Sequence, residues 1–372
     1  MEEPIRVAHI VGKMVGGGVE AFIMNYYRHI NRDKIQFDFI IDSDSTLVPR
    51  EEIESLGGRI IEIPPYQKLF KYTKELRKVF RENKYKIVHS HLNTLSVFPL
   101  YCAWREKVPI RIAHSHSTSN KKEWKKNIIK NLLRPFSNVF ATNYFACTEH
   151  AGRWMFGNKE YDNGNVYILN NAIDINDFLY DENERKIKRK ELGIENKFVI
   201  GHIGRFVEQK NHRFLIELFN DFHKKRADSI LMLIGQGPLL TEIKEKVKKL
   251  NIDDSVLFLG QREDTNKLYQ AMDLFLFPSL YEGLGIVMIE AQSSGLPCIA
   301  STEVPKVAKV NENVEFICLK DPVSKWKESI EKHIHDRKIV NINDFKNSGY
   351  SIKTEASKLE EEYFRLLKQL ER

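Results

Sequence analysis

The chain has 372 residues, of which 42% are hydrophobic and 29% charged, and its formal net charge is +7. This length suits two domains of roughly 150 to 200 residues each, and no run approaches the ~20 apolar residues of a membrane-spanning helix. The four cysteines show no CxxC spacing and favour neither a zinc knuckle nor a disulfide framework, and the N-terminus has no pattern of a secretory signal. The positive charge admits a nucleic acid, a nucleotide or an acidic membrane surface as partner without choosing among them.

Two series of apolar runs predict strands, and the amphipathic segments between them predict helices. The first series is IRVAHIVG, FDFIID, RIIEIP, KIVHSH and IRIAHSH, and the second is FVIGHIGR, SILMLIGQG, SVLFLG, LFLFPS and PCIAS. Alternation of buried strands with helices is typical of parallel sheets covered by crossover helices. The sequence therefore predicts an α/β protein with two parallel sheets.

The segment between the two series marks the predicted domain junction. Residues 175–196 are densely charged and show no strand pattern. We therefore expect an N-terminal domain over 1–176 and a C-terminal domain over 177–352. The final segment, 353–372, has helical periodicity and is expected to pack back onto the first domain.

A glycine-rich turn follows the first predicted strand. Its sequence, VGKMVGGGVEAF at 11–22, can let a ligand approach the backbone closely. The glycine spacing does not match the G-x-G-x-x-G fingerprint of dinucleotide-binding proteins. A flexible loop without a ligand is the alternative.

Two pairs of histidines end neighbouring predicted strands. His89 and His91 form one pair and His114 and His116 the other, so that in extended chain each pair lies on one face. No third and fourth ligand is evident nearby, so we expect no metal. Contact with a sugar or a phosphate is one interpretation, and a structural role for some of the four is another.

The segment KKEWKKNIIKNLLR at 121–134 carries six basic residues and one acidic residue. On a helical wheel its apolar residues cover about half the circumference and basic residues lie opposite. Such a helix can rest on an anionic bilayer surface. A helix packed on the core with a basic outer face fits equally well.

The loop GRFVEQKNH follows the first strand of the second series and carries Arg205 and Lys210. Ligands of doubly wound sheets bind beyond the carboxyl ends of strands, where a basic pair suits phosphate oxygens. A solvated loop is the alternative interpretation.

The segment SLYEGLGIVMIEAQSSGLP at 279–297 reads as the end of a strand, a turn and a helix. The amides around Gly285 would form a helix N-terminus able to hold an anion. Glu282 and Glu290 lie eight positions apart, roughly 12 Å along a helix, too far to share one metal or one proton. We expect Glu290 to accept hydrogen bonds from ribose hydroxyls and Glu282 to face a group beyond the phosphates. A capped or solvent-facing residue is the alternative for Glu290.

Over nearly its whole length the chain resembles the retaining glycosyltransferases of family 4, which have the GT-B fold, and in particular the transferases of bacterial capsule and exopolysaccharide synthesis. The residues that carry the resemblance are Gly17, Gly18 and Glu20 at the first turn, AHSHS around His116, LNNAID at 169–174, GRFVEQKNH, IGQGPL at 234–239 and EGLGIVMIEAQSSGLPCIAS.

The resemblance implies two Rossmann-like domains facing across a cleft, with a nucleotide-sugar donor on the C-terminal domain. Arg205 and Lys210 would then bind the diphosphate and Glu290 the ribose, without a metal or other cofactor. Glu282 and the amides of the loop would address the transferred sugar, and His116 with the glycine pair would approach the donor from the N-terminal domain on closure. The residues implied in the glycine pair and the loop are Gly17, Gly18, Gly283, Leu284, Gly285 and Ile286.

The function expected from the resemblance is transfer of a hexose or N-acetylhexosamine, from UDP by family frequency, to a lipid-linked saccharide. The expected location is the cytoplasm or the inner face of the plasma membrane. Two departures leave the sugar open: Ala172 stands where many members have glycine, and residues 301–310 lack a glycine-rich loop. Alternatives are a nucleotide-sugar epimerase or a sugar phosphorylase on a similar fold. A nucleic-acid-binding protein is the alternative of another class, but no recognised motif supports it.

Overall fold

The computed structural model describes residues 3–116, 131–334 and 336–371. Contacts divide the chain into two compact units, the first formed by Met1–Ile173 with Gly349–Arg372 and the second by Asp174–Ser348. Apart from its last four residues, the basic segment predicted at 121–134 lies outside the described residues. No helix within the described part of the chain is long and apolar enough to cross a bilayer.

The first unit contains a sheet of seven parallel strands. In chain order these are β1 (Ile5–Gly12), β2 (Ile35–Asp42), β3 (Arg59–Ile63), β4 (Ile87–Ser90), β5 (Ile110–Ser115), β6 (Asn143–Ala146) and β7 (Val166–Ile168). Their order across the sheet is β3-β2-β1-β4-β5-β6-β7. All eight residues of β2 are buried, as expected of a parallel strand covered on both faces.

The helices described in the first unit are α1 (Gly18–His29), α2 (Arg50–Ser55), α3 (Leu69–Asn83), α4 (Val97–Arg105), α5 (Glu149–Phe156), α6 (Asn158–Asp162) and the C-terminal Ile352–Gln369. The C-terminal helix joins the same apolar cluster as α1, β1 and β2, through Ile352, Leu359 and Tyr363. Burial of such side chains stabilises a fold by roughly 1.5 to 3 kcal/mol each, so this helix is an integral part of the first unit.

The second unit repeats the architecture with six parallel strands. They are β8 (Phe198–Ile203), β9 (Ser229–Ile234), β10 (Val256–Gly260), β11 (Leu274–Phe277), β12 (Cys298–Ser301) and β13 (Val314–Ile317), in the order β10-β9-β8-β11-β12-β13. Its described helices are α7 (Glu182–Glu191), α8 (His212–His223), α9 (Leu240–Lys249), α10 (Thr265–Ala271), α11 (Ile286–Ser293), α12 (Val323–Lys332) and α13 (Ile342–Asn347), and the C-terminal helix Ile352–Gln369 is then α14. The predicted class, two Rossmann-like parallel-sheet α/β domains, is confirmed.

Candidate donor-binding site

The candidate site in the second unit lies where the order of strands reverses. Strands β8 and β11 are neighbours there, and β9 lies on the other side of β8. Crossover connections leave such a pair in opposite directions and open a crevice at the carboxyl ends, where doubly wound sheets bind ligands. The loop after β8 carries Arg205 and Lys210, and the loop after β11 carries Glu282.

Hydrogen bonds join these two loops directly. Lys210 Nζ donates to Glu282 Oε1 at 2.7 Å, with side-chain exposures of 15% and 7%. Gln209 donates its amide to the Tyr281 carbonyl at 3.1 Å and to Glu282 Oε2 at 3.3 Å. The structure therefore brings together two residues predicted for the site, as a largely buried ion pair.

Arg205 contrasts with Lys210. It is exposed, and its side chain makes no hydrogen bond or ion pair with any residue that the structure describes. Its charge is therefore available to an anion, whereas that of Lys210 is balanced by Glu282.

The predicted anion-binding turn precedes α11. The helix begins at Ile286, with Gly285 as the N-cap at φ +88°. A side chain at this left-handed position would be strained, and its Cβ would meet the Phe277 ring at 2.9 Å. The first amides of an α-helix have no acceptor within the helix, so those of Ile286 and Val287 are suited to hold an anion. A Cβ at Gly283 would meet no atom within 4 Å, so there is space beside the preceding turn.

Glu290 lies one turn into α11 and contacts a residue that the sequence did not indicate. Tyr269 on α10 donates its hydroxyl to Glu290 Oε2 at 2.9 Å and is also 2.9 Å from the Val287 carbonyl. Burial raises the pKa of Glu290 to about 7, and the Tyr269 hydrogen bond acts in the opposite direction. Glu290 is therefore neither a helix-capping residue nor a fully solvent-exposed one, which were the alternatives from the sequence.

In the first unit, Gly17 and Gly18 begin α1. Gly17 is the N-cap, and its amide donates to Glu20 Oε2, while the Val15 amide donates to Glu20 Oε1 at 2.9 Å. Glu20 thus satisfies backbone donors of the turn, as in a capping box. This arrangement gives Glu20 a structural role in the motif.

We predict that Gly18→Ala lowers kcat/KM without lowering stability. A Cβ at Gly18 would meet nothing within 4 Å, and alanine is a better helix former than glycine by about 1 kcal/mol. Any steric effect must therefore come from a bound ligand. Thermal unfolding and steady-state kinetics of the variant check this, and an unchanged kcat/KM would show that no ligand approaches Gly18.

Five histidines form a cluster on β1, β4 and β5 and the residues that follow β4 and β5, four of them buried and His116 half-buried. It contains both predicted pairs and a fifth member, His9, and comprises His9, His89, His91, His114 and His116. Burial lowers the pKa of His9 and of His116 to about 3 and lowers the pKa values of the other three as well. These imidazoles are therefore neutral near pH 7, and His116 acts as a neutral hydrogen-bonding group.

Two sets of three within this cluster bring their nitrogen atoms within 4.8 Å of one another, namely His9, His89, His91 and His91, His114, His116. Each predicted pair thus has a third histidine nearby: His91 for the pair His114 and His116, and His9, which the sequence did not reveal, for the pair His89 and His91. The nitrogen atoms nevertheless pair with one another: His9 Nδ1 lies 2.9 Å from His91 Nε2, and His91 Nδ1 lies 2.9 Å from His116 Nε2.

Sequence reasoning missed Gln209, Tyr269 and His9. The parallel register of β1 and β4 pairs His9 with His89, which a sheet order derived from the sequence would have shown. Tyr269 carries no local signal, because its role depends on packing between α10 and α11.

Comparison with known proteins identifies the family. Residues 16–177 match the family described as Glycosyltransferase Family 4, and residues 184–350 match Glycosyl transferases group 1. EpsF of Bacillus subtilis, a provisionally assigned glycosyltransferase, is 36% identical over 336 residues, covering 88% of this chain and 87% of its own. The Staphylococcus aureus capsular polysaccharide biosynthesis glycosyltransferase CapH is 25% identical over 371 residues, covering 96% and 98% of the two chains.

Solved structures agree on the fold. Anabaena HepE in complex with UDP-glucose superimposes with a TM-score of 0.78 at 17% identity, over 97% of this chain and all of that chain. The fold and the paired loops of the second unit define a GT-B protein. The chain belongs to the family 4 and group 1 glycosyltransferases, as the resemblance predicted.

Proposed function

We propose that the protein is a retaining glycosyltransferase that moves a hexose or N-acetylhexosamine from a nucleoside diphosphate, UDP by preference, to a saccharide acceptor. The observation that carries the proposal is the pair of loops at the strand reversal of the second unit, with a cation on one loop and a helix N-terminus after the other. HepE was solved with UDP-glucose, which supports UDP as the nucleotide.

In this proposal the donor is held by groups with separate roles. Arg205, Lys210 and the amides before α11 bind the diphosphate, and Glu290 accepts from the ribose hydroxyls. Glu282 and the turn Gly283, Leu284, Gly285 and Ile286 address the transferred sugar, and Gly17, Gly18 and His116 act from the first unit.

The proposed catalytic role of the cationic groups depends on where negative charge develops during the reaction. Negative charge builds on the leaving diphosphate as the bond to the anomeric carbon breaks, so Arg205, Lys210 and the helix amides would stabilise the transition state more than the ground state. In this proposal the fixed cations neutralise the diphosphate charge as a metal ion would, and the reaction proceeds without a metal ion.

Names of relatives support the choice of acceptor. An Escherichia coli relative, 24% identical over 311 residues and covering 80% of this chain, is named for transfer of galactose from UDP-Gal to α-D-GlcNAc-diphosphoundecaprenol. CapH is named for capsule synthesis. We propose a lipid-linked saccharide of capsule or exopolysaccharide synthesis as acceptor, reached at the inner face of the plasma membrane, with no nucleic acid as partner. The basic segment 121–134 is the candidate membrane contact.

The proposal is tested by incubating the protein with UDP-glucose, UDP-galactose and UDP-N-acetylglucosamine, a polyprenyl-diphosphate saccharide and EDTA, followed by NMR of the product. We expect acceptor-dependent transfer from one donor with the α-anomer retained. Conversion of a donor without acceptor would identify an epimerase, and a requirement for inorganic phosphate would identify a phosphorylase. An inverted product would contradict retention.

The raised pKa of Glu290 predicts a pH dependence of donor binding. A group with a pKa of about 7 is ionised to about one-tenth at pH 6 and about nine-tenths at pH 8. If the carboxylate binds ribose, affinity for the nucleotide sugar rises roughly tenfold over that range, and in Glu290→Gln the rise is absent. Calorimetry with the nucleotide sugar measures this.

Tyr269→Phe is the matched control for that titration. The Tyr269 hydroxyl lowers the pKa of Glu290, so its removal should move the midpoint of the affinity curve to higher pH. The histidines beneath the loops, His202 and His212, have lowered pKa values and stay neutral in this range. A wild-type affinity that is flat from pH 6 to 8 would exclude ribose binding by an ionised Glu290.

A further inference from the structure

The histidine cluster of the first unit consists of rings on three adjacent strands, with interplanar angles between 13° and 39°. The planes of His9 and His91 are inclined by 13°, those of His89 and His91 by 20° and those of His114 and His116 by 24°. The hydrogen-bonded rings form two rows, one running His9, His91, His116 and the other His89, His114.

Nitrogen distances within the rows are those of hydrogen bonds between imidazoles. They are 2.9 Å in the first row and 3.0 Å in the second. Two imidazole nitrogens on a tetrahedral zinc at 2.0 to 2.1 Å would be about 3.3 Å apart. Each contact in the rows therefore fits one shared proton better than one shared metal ion.

His9, the buried end of the first row, determines the direction in which the hydrogen bonds of the row are donated. His9 is 2% exposed, and its Nε2 has no partner among the described residues. A buried N–H group without an acceptor is costly and rare, so the His9 proton belongs on Nδ1. From there His9 donates to His91 Nε2, and His91 Nδ1 donates to His116 Nε2.

Donation from His9 through His91 determines the tautomer of His116, the last ring of the row. His116 Nε2 accepts from His91, so a neutral His116 carries its proton on Nδ1. That N–H has no acceptor among the residues that the structure describes.

We propose that His91, with His9 behind it, is a positioning residue that holds His116 as the Nδ1–H tautomer and so makes it a hydrogen-bond donor to a substrate oxygen. The proposal rests on the proposed function for its substrate, a nucleotide sugar, whose hydroxyl and phosphate oxygens both accept. Because the His116 imidazole is neutral, its Nδ1–H group can donate a hydrogen bond across the physiological range of pH.

The tautomer is measured without reference to activity. In the ¹⁵N-labelled full-length protein, long-range ¹H–¹⁵N correlation spectra distinguish a protonated from an unprotonated ring nitrogen. We expect His116 to show a protonated Nδ1 and an unprotonated Nε2. A protonated Nε2, or stoichiometric zinc bound to these nitrogens, would overturn the proposal even if every variant failed to fold.

Two variants separate the hydrogen bond from packing. His91→Phe removes the donor to His116, and we expect a mixture of His116 tautomers with kcat/KM lowered roughly tenfold. His114→Phe removes a ring that stacks on His116 at 4.0 Å without a hydrogen bond to it, and the Nδ1–H tautomer should persist.

The His116 tautomer and the rate of sugar transfer together distinguish failure of the proposed function from failure of the proposed role of His91. A wild type that has the expected tautomer but transfers no sugar contradicts the proposed function and leaves the hydrogen-bonded row intact. An unchanged His116 tautomer in His91→Phe, or a mixed tautomer with unchanged kcat/KM, contradicts the role of His91.

Discussion

Arg205→Ala is expected to lower kcat by about 10²- to 10³-fold, the range seen when one charge-stabilising donor is removed from an active site. Arg205 is exposed and has no partner among the described residues. Its loss should therefore leave thermal stability unchanged, and an effect on turnover reports catalysis alone. Kinetics at saturating donor and a thermal unfolding curve measure the two quantities.

Arg213 provides the control arginine in the same unit. It lies half-buried on α8 and forms ion pairs with Glu208 and Glu242, which are surface pairs of little energetic weight. Arg213→Ala should keep both turnover and stability. Equal turnover in Arg205→Ala and the wild type would remove Arg205 from the diphosphate site.

Lys210→Met is expected to lower both stability and turnover, because Lys210 has a partner. Its loss leaves the Glu282 carboxylate, with 7% side-chain exposure, without a countercharge, while the Gln209 hydrogen bond remains. Breaking a buried pair from one side costs about 3 kcal/mol or more. Denaturant unfolding should show this loss, and kcat of the folded fraction should fall about 10²-fold or more.

The double variant Lys210→Met with Glu282→Gln separates the two effects. Without the unbalanced carboxylate most of the stability should return, whereas turnover should stay low because the cation and the carboxylate proposed to address the sugar are both absent. Lys188→Met is the control: Lys188 lies on α7, is also largely buried, and pairs with both Asp264 and Glu191. Recovery of turnover in the double variant would show that Lys210 serves only to neutralise Glu282.

The sequence predicted the long strands well, because near-continuous apolar runs identify buried parallel strands. It missed β6, β7 and β13, which have four, three and four residues. Strands β4, β11 and β12 also have four residues, but they are buried throughout, whereas β6, β7 and β13 are only partly buried and give no continuous apolar run.

Within the candidate site, the sequence predicted the loops better than their contacts. Lys210 and Glu282 were assigned to different parts of the donor, yet they contact each other in the protein. Glu290 was expected to accept hydrogen bonds from a ligand. It also accepts one from the Tyr269 hydroxyl, and this contact depends on the packing of two helices. Contacts between distant segments depend on the tertiary fold, which local spacing does not encode.

The central claim is a nucleoside diphosphate site in the second unit, and calorimetric titration tests it most directly. UDP, GDP, ADP and CMP are titrated in EDTA into the wild type and into Glu290→Ala. The account predicts selective binding of one diphosphate, UDP by preference, weakened at least roughly tenfold by the substitution, which corresponds to about 1.4 kcal/mol. Binding of none of the four by the folded wild type, or equal affinity in the variant, would contradict it.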